Sequence, residues 1–365
     1  MTNLTIHITL RDQSHVPTIP RLTSLLKTVP SGIMSSIQAA VWEATSSGAT
    51  PIVKTIPAPV AAAGDILVRV SHVALNPVDN FLGVPGSVVG FDLAGEVVTA
   101  GGKLAKGSRV AGMVQGSFIP NYGAAAELVA ADPDLFFKIP DGLDAADATT
   151  FSVSAVTAGV AVYKVLGLPF PPATAASGGN APWFLVSGGA TTVGLFAIQF
   201  AKLAGYRVIA TASARSEALV KSYGADKIVN YTDPRAAELI REATGGGVQL
   251  GLEAAGGSSF PISIGSVSNG KLAAVLPTPD DVTVPPGVEV ETLALIRAYK
   301  TVRTCVDSSA DCRLLRRSST SPSCTSGSPT LSLASQSSSS LASVPSLCRS
   351  ATASRRSTKV CSSSR

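Results

Sequence analysis

The sequence predicts an α/β protein in two parts, a β-rich, barrel-like domain followed by a Rossmann-type doubly wound parallel sheet. Three observations carry this. Up to about Pro140 short apolar runs are separated by Gly and Pro; after Pro182 strand-like and helix-like segments alternate; and residues 184–194 pass from a buried apolar run through a glycine loop into a helical pattern. A length of 365 residues with 45% hydrophobic content is consistent with about two domains and a sizeable core.

In the first part the strands expected are Gln38 to Trp42, Asp65 to Val73, Phe91 to Thr99 and Ser108 to Val114. A helix is expected from Ala145 to Tyr163, opened by Asp144 or Asp147 as cap. A linker rich in Pro, Ala and Gly follows, from Pro169 to Pro182. The second part reads as strand Phe184 to Val186, helix Val193 to Ala204, strand Arg207 to Thr211, helix Glu217 to Tyr223 and strand Lys227 to Val229. It continues as helix Asp233 to Ala243 and strands Gln249 to Leu252 and Lys271 to Leu276, a βαβ series and hence a parallel sheet. The domains expected are 34–165 and 166–304, between an extension at 1–33 and a tail at 305–365.

The two ends depart from this pattern. Residues 1–33 carry Arg11, Arg21 and Lys27 against Asp12, which suits either a targeting peptide or an extension upstream of a more natural start at Met34. Of the 61 residues from 305 to 365, 22 are Ser, and none is Phe, Trp, Tyr, Met or His. Such an aberrant tail is expected to be disordered, because it cannot bury enough surface to offset its ordering entropy. It reads either as an interaction tail or as the product of a frameshift or misjudged exon. The location expected is cytoplasmic, with mitochondrial import by residues 1–33 as the alternative.

Composition excludes several functions. The tail holds eight of the 29 basic residues and two of the 24 acidic ones, so the net charge of +5 belongs to the tail, and the body has no basic face for nucleic acid. No segment approaches the ~20 apolar residues of a membrane-spanning helix, so no membrane partner is expected. All five Cys lie at or beyond Cys305, and the three His are His7, His15 and His72, so the body cannot assemble a Cys/His zinc site. Catalysis there needs a cofactor, carboxylates or hydroxyls.

The motif that carries chemistry is Phe184-Leu185-Val186-Ser187-Gly188-Gly189-Ala190-Thr191-Thr192-Val193-Gly194. Gly188 and Gly189 permit a tight turn and close approach to a pyrophosphate, Gly194 lets the helix pack against the strand, and the helix start offers free N–H groups. Ser187, Thr191, Thr192 and Val193 complete the expected cradle. At the end of the second strand, where a ribose-binding carboxylate is expected, the sequence is Ala210-Thr211-Ala212-Ser213-Ala214-Arg215-Ser216. Hydroxyls at Ser213 and Ser216 and the Arg215 cation suit a 2′-phosphate and favour NADPH, unless Arg215 merely begins a solvated helix.

Together with these, Leu75-Asn76-Pro77-Val78-Asp79, Gly90-Phe91-Asp92-Leu93-Ala94-Gly95, Gly107-Ser108-Arg109-Val110-Ala111-Gly112, Gly123 to Glu127, Phe151 to Gly159, Ala197 to Lys202 and Leu219 to Asp226 form an ordered set of motifs. From about Gln38 to Leu276 the chain resembles the zinc-independent branch of the medium-chain dehydrogenase/reductase superfamily, which contains quinone oxidoreductases and fungal trans-acting enoyl reductases. The resemblance implies a GroES-like catalytic domain before the Rossmann domain. It also implies NADPH-dependent hydride transfer to an activated C=C bond of an enone, quinone or enoyl thioester, the last on a carrier protein of a polyketide synthase partner. Asn76 is implied at the nicotinamide side of the cleft, Thr157 at the cofactor near the domain junction, and Tyr231 at the 2′-phosphate. From the residues alone, Asn76 has the alternative of a turn former, Thr157 that of a hydroxyl bonded back to its helix, and Tyr231 that of a cover for a strand end.

Zinc-using relatives carry a Cys near the Asn76 motif and a His in the Gly90 motif; this chain has neither, with Asp79 and Asp92 nearby as structural residues, and no metal is expected. Many fungal enoyl reductases carry a Lys where this chain has Phe81, which removes a cation able to polarise the substrate. Tyr122, the substitute proton donor, reads as an exposed loop residue, and water then serves as donor. A second function stays open: a dinucleotide-binding protein without turnover, incomplete in its catalytic domain because the superfamily's last strands and helices are not legible in 305–365.

Overall fold

The computed structural model describes residues 35–293 except 47, 82, 119–121 and 172–180, so the extension, most of the Pro169 to Pro182 linker and the tail lie outside the described residues. Chain order begins with two long strands, β1 (Ser36–Thr45) and β2 (Gly48–Pro57), paired antiparallel from Ser36↔Pro57 to Thr45↔Gly48. β3 (Ile66–Ala74), β4 (Asp92–Thr99), β5 (Arg109–Met113), β6 (Leu128–Ala131) and β7 (Phe136–Lys138) form an antiparallel sheet in the order β6-β3-β4-β5-β7. Alternate residues of β3 (Ile66, Val68, Val70) are buried, as expected of a sheet with one packed face. The short α1 (Pro77–Phe81) links β3 to β4. β2, β6 and β7 were not expected; their runs are short or rich in Pro and Ala, and tertiary pairing rather than pattern makes them strands.

The expected single helix from Ala145 is two, α2 (Ala145–Thr149) and α3 (Ser152–Gly159), the second continuing as a π-helical stretch through Val165. Asp144 is the cap, accepting from Ala146 N at 3.0 Å. The break has a physical cause. Ser152-Val-Ser-Ala-Val-Thr has weak intrinsic helix preference, and the new helix start is held by a side chain from another element, described below.

The second sheet is wholly parallel, in the order β10-β9-β8-β11-β12-β13. Its strands are β8 (Trp183–Ser187), β9 (Arg207–Ala212), β10 (Lys227–Asn230), β11 (Val248–Glu253), β12 (Val267–Ala274) and β13 (Val288–Thr292). Its helices are α4 (Thr192–Leu203), α5 (Glu217–Ser222), α6 (Ala236–Thr244) and α7 (Phe260–Ser266). Phe184, Leu185 and Val186 are fully buried because helices cover both faces of the sheet. α6 begins after the expected Asp233 because that carboxylate accepts from Arg235 N at 2.8 Å and turns the chain before the helix. β12 starts and ends earlier than expected; β13 and α7 were not expected. β13 is held at the sheet edge by pairing with β12 and by Lys271, which reaches Glu289 at 2.9 Å and Glu291 at 2.8 Å.

The two parts meet through α3. Val153 packs with Phe91 and Met113 of the β-rich part, while Phe151 contacts Phe137 on one side and Phe196 of α4 on the other, with centroids 6.3 and 5.6 Å apart. α3 is thus the strut between the first sheet and the helix that follows the glycine loop.

Candidate active site

The chain runs β8, β9, β10 to one side and β11, β12, β13 to the other, so the strand order reverses between β8 and β11 and opens a crevice at their C-terminal ends. Ser187 and Glu253 face each other in register there, and Ala254 N donates to Ser187 O at 2.9 Å. The glycine loop fills one side of the crevice. Gly188 has φ +77, and a Cβ there would stand 2.9 Å from the Cβ of Ala255. Both the conformation and the space require glycine. Gly188 N donates to Thr211 Oγ1 and Gly189 N to Thr211 O, at 2.9 and 2.8 Å, so β9 fixes the turn.

Thr191 caps α4: its Oγ1 accepts from Gly194 N and donates to Gly188 O, both at 2.9 Å. The N–H groups of Thr192 and Val193 then have no partner among the described residues. Two free donors at a helix start, beside a loop that only glycine can form, fit a pyrophosphate. Gly194 serves a different contact from the one expected. A Cβ there would collide with Gly188 O and lie 3.0 Å from Gly189 Cα, so it permits the helix to close on its own loop rather than on the strand.

Ser213, Arg215 and Ser216 follow β9 directly. Ser213 Oγ contacts Ser216 Oγ at 3.2 Å, Ser216 is buried, and Arg215 is exposed with no ion-pair partner among the described residues. Asn230 pairs with Ala212, which sets Tyr231, 45% exposed, next to Ser213 at the neighbouring strand end. Ser213, Arg215 and Ser216 thus lie on the segment after β9 and Tyr231 at the end of the adjacent β10, with Ser216 buried and Arg215 exposed.

Asn76 and Thr157 lie in the other part and on the strut. Asn76 precedes α1; its backbone N–H donates to Asp79 Oδ2 at 2.6 Å and its Nδ2 to Asp92 Oδ2 at 2.9 Å. Asp92 Oδ1 accepts from Val153 N at 2.8 Å, in the first turn of α3. Both carboxyls are buried, and Asp79 Oδ1 has no partner among the described residues. Desolvation pushes Asp79 up to about 7 and Asp92 up to about 8, partly offset by these hydrogen bonds, with the neighbouring Asp79 raising Asp92 further. Thr157, half-buried on α3, has no side-chain hydrogen bond among the described residues, so it is not bonded back to its helix. Tyr122 is half-buried against the core of the first sheet, not the exposed loop residue expected. Phe81 ends α1, and its side chain lies outside the described residues.

Three contacts were not legible in the sequence. Thr211 holds the glycine loop from across the sheet. Glu253, fully buried, accepts from Ala255 N and Gly256 N at 2.8 Å each, from Ser259 at 2.7 Å and from Ser263. Asp92 joins Asn76 to α3. The contacts of Thr211 and Asp92 depend on long-range pairing, whereas those of Glu253 are made within its own following loop and helix start.

Residues 62–141 match the family model of the alcohol dehydrogenase GroES-like domain, and residues 192–309 that of the zinc-binding dehydrogenase. The trans-enoyl reductase phm4 of Pyrenochaetopsis sp is 33% identical over 268 residues, covering 70% of this chain and 74% of that protein. The trans-enoyl reductase thnE of Trichoderma harzianum is 35% identical over 224 residues, 58% of this chain and 61% of its own length. The chain thus spans about three fifths of the length of that relative. A mycobacterial protein complexed with NADPH superposes with a TM-score of 0.55 at 24% identity, over 72% of this chain and 83% of that one. No helix among the described residues is long and apolar enough to cross a membrane.

Proposed function

The chain belongs to the medium-chain dehydrogenase/reductase superfamily, in its enoyl-reductase-like part, and on that premise we propose that it is a zinc-independent, NADPH-dependent reductase of activated C=C bonds. Its cofactor is a nicotinamide dinucleotide. The observation that carries the proposal is the cradle formed by Gly188, Gly189 and the free N–H groups of Thr192 and Val193, with a cation and two hydroxyls instead of a carboxylate at the next strand end. The NADPH-complexed neighbour supports the same choice.

In this reading the cofactor, when bound, supplies a hydride to the electron-poor carbon of an enone, quinone or enoyl thioester. The glycine loop and the start of α4 would hold the pyrophosphate, above Ser187, which is fully buried and accepts from Thr211 Oγ1 at 3.4 Å. Ser213, Arg215, Ser216 and Tyr231 would hold the 2′-phosphate, while Asn76 and Thr157 would line the nicotinamide side. Zinc independence rests on the donor set: the described part of the cleft offers an amide and two buried carboxyls, with neither thiol nor imidazole beside Asn76, and the five cysteines all fall at or beyond Cys305. A carrier-protein-bound acyl chain, presented by a polyketide synthase, is the substrate class that the relatives' names suggest.

Fluorescence titration of the full chain with NADPH and with NADH tests the cofactor. NADPH is expected to bind at least roughly tenfold more tightly, since charge-assisted hydrogen bonds contribute about 1.5–3 kcal/mol each. Arg215→Ser is expected to erase most of that preference while leaving NADH binding unchanged; equal affinities in the unaltered chain would remove the case for NADPH. Steady NADPH oxidation with a simple enone separates a reductase from a dinucleotide-binding protein without turnover.

A further inference from the structure

Asp92 stands where three parts of the molecule meet. It lies on β4 with its side chain buried, and each of its oxygens accepts one N–H: Oδ2 from the side chain of Asn76 at 2.9 Å, Oδ1 from the backbone of Val153 at 2.8 Å. Both donors bear on the proposed chemistry. Asn76 is the amide at the nicotinamide side, and Val153 opens the helix that carries Thr157 and packs on α4. With Nδ2 committed to Asp92, the Oδ1 of Asn76 has no hydrogen bond among the described residues and is not sealed in the core. The amide orientation is thereby fixed, its acceptor end free and its donor end tied down.

A second carboxyl holds the backbone of the same asparagine. Asp79, on α1, accepts Asn76 N–H through Oδ2, and its Oδ1 is buried without a partner. Of the four carboxyl oxygens, three accept N–H groups and one, Asp79 Oδ1, has no partner among the described residues. The groups facing Asp92 are Asp79 from α1 and the N-terminal end of α3, and neither carboxyl has an ion-pair partner among the described residues. The helix end favours negative charge on Asp92, while its burial and the neighbouring Asp79 oppose it.

We propose that Asp92 is a positioning residue, a single carboxylate that orients the Asn76 amide and at the same time fixes the start of α3, so that Asn76 and Thr157 are held in one frame. This role deepens the reductase reading and rests on it for its functional meaning, although the geometry is testable without turnover. In Asp92→Asn the new side-chain oxygen still accepts from Val153 N, but its NH₂ faces the NH₂ of Asn76, and two donors repel. The Asn76 amide then turns over while α3 keeps its start. Asp92→Ala removes both contacts.

The test uses the full chain labelled with ¹⁵N-asparagine, with the Asn76 side-chain signal identified by its loss in Asn76→Ser. In Asp92→Asn that signal is expected to shift, backbone hydrogen exchange over 152–157 to stay within about twofold, and kcat for NADPH-dependent reduction of an enone to fall roughly ten- to hundredfold with NADPH affinity held. In Asp92→Ala exchange over 152–157 rises as well. Should that variant fail to fold, the unaltered protein titrated from acid to alkaline pH serves instead, because the Asn76 signal must follow ionisation of the pair. An Asn76 signal unmoved both by Asp92→Asn and by pH would overturn the role. An unaltered chain that reduces no enone would sink the reductase reading alone, since the amide signal and the exchange data still decide what Asp92 does.

Discussion

Single side chains decide whether the glycine loop can form. Gly194→Ala places a methyl against Gly188 O, a backbone atom that cannot yield without opening the loop. Overpacking of this kind costs about 1–3 kcal/mol, and because it displaces Thr192 and Val193 it is expected to weaken dinucleotide binding at least roughly tenfold, measured by the same fluorescence titration. Thr191→Val keeps the shape but loses the cap, at about 1 kcal/mol in denaturant unfolding. The need for glycine at 188 and 189 was legible from the sequence alone. The partner of Gly194 was not, because a loop folding back on its own helix leaves no periodic trace.

At the scale of elements, the loop after β11 is organised around one carboxylate. Glu253 gathers two backbone N–H groups and two serine hydroxyls from the loop and the start of α7, and it has no exposure to water. Glu253→Ala removes the acceptor of the Ala255 and Gly256 N–H groups, while Ser259 and Ser263 keep Gly256 O and Ser259 O as acceptors, and it is expected to cost about 1–3 kcal/mol in urea unfolding. Glu253→Gln keeps the size but turns an NH₂ toward donors, so it is expected to recover less than half of that loss. Helix starts show the same logic. α2 is capped by its own neighbour Asp144 and was anticipated, whereas α3 is capped by Asp92, 61 residues away, and the sequence suggested instead one continuous helix. Strands with strong alternation, such as β3, were legible. β13 was not, because its Val288–Thr292 run becomes a strand only by pairing with β12 and by the two ion pairs of Lys271.

For the whole molecule, the buried pair Asp79 and Asp92 makes stability depend on pH. Burial raises both above the ordinary carboxyl value of 3.8, to about 7 and about 8, so between about 4 and 8 the folded state binds more protons than the unfolded chain. The contribution is therefore fully present below about pH 4 and is lost as pH rises through 7 and 8. Thermal unfolding followed across this range is expected to show Tm falling with pH, and Asp79→Asn to flatten the slope; a slope unchanged in that variant would assign the effect elsewhere. Amino-acid pattern by itself determined that a β-rich part precedes a parallel α/β sheet, that a dinucleotide loop lies at 184–194, and that no thiol precedes Cys305. These follow from local periodicity, from glycine's backbone freedom and from composition, all of which act over a few residues. Tertiary structure decided that Asp92 joins Asn76 to α3, that Thr211 holds the glycine loop, and that the pairing of β10 with β9 sets Tyr231 at the strand end next to Ser213. Each of these is a pairing between distant strands or helices, set by sheet register and burial, which no short window of sequence encodes.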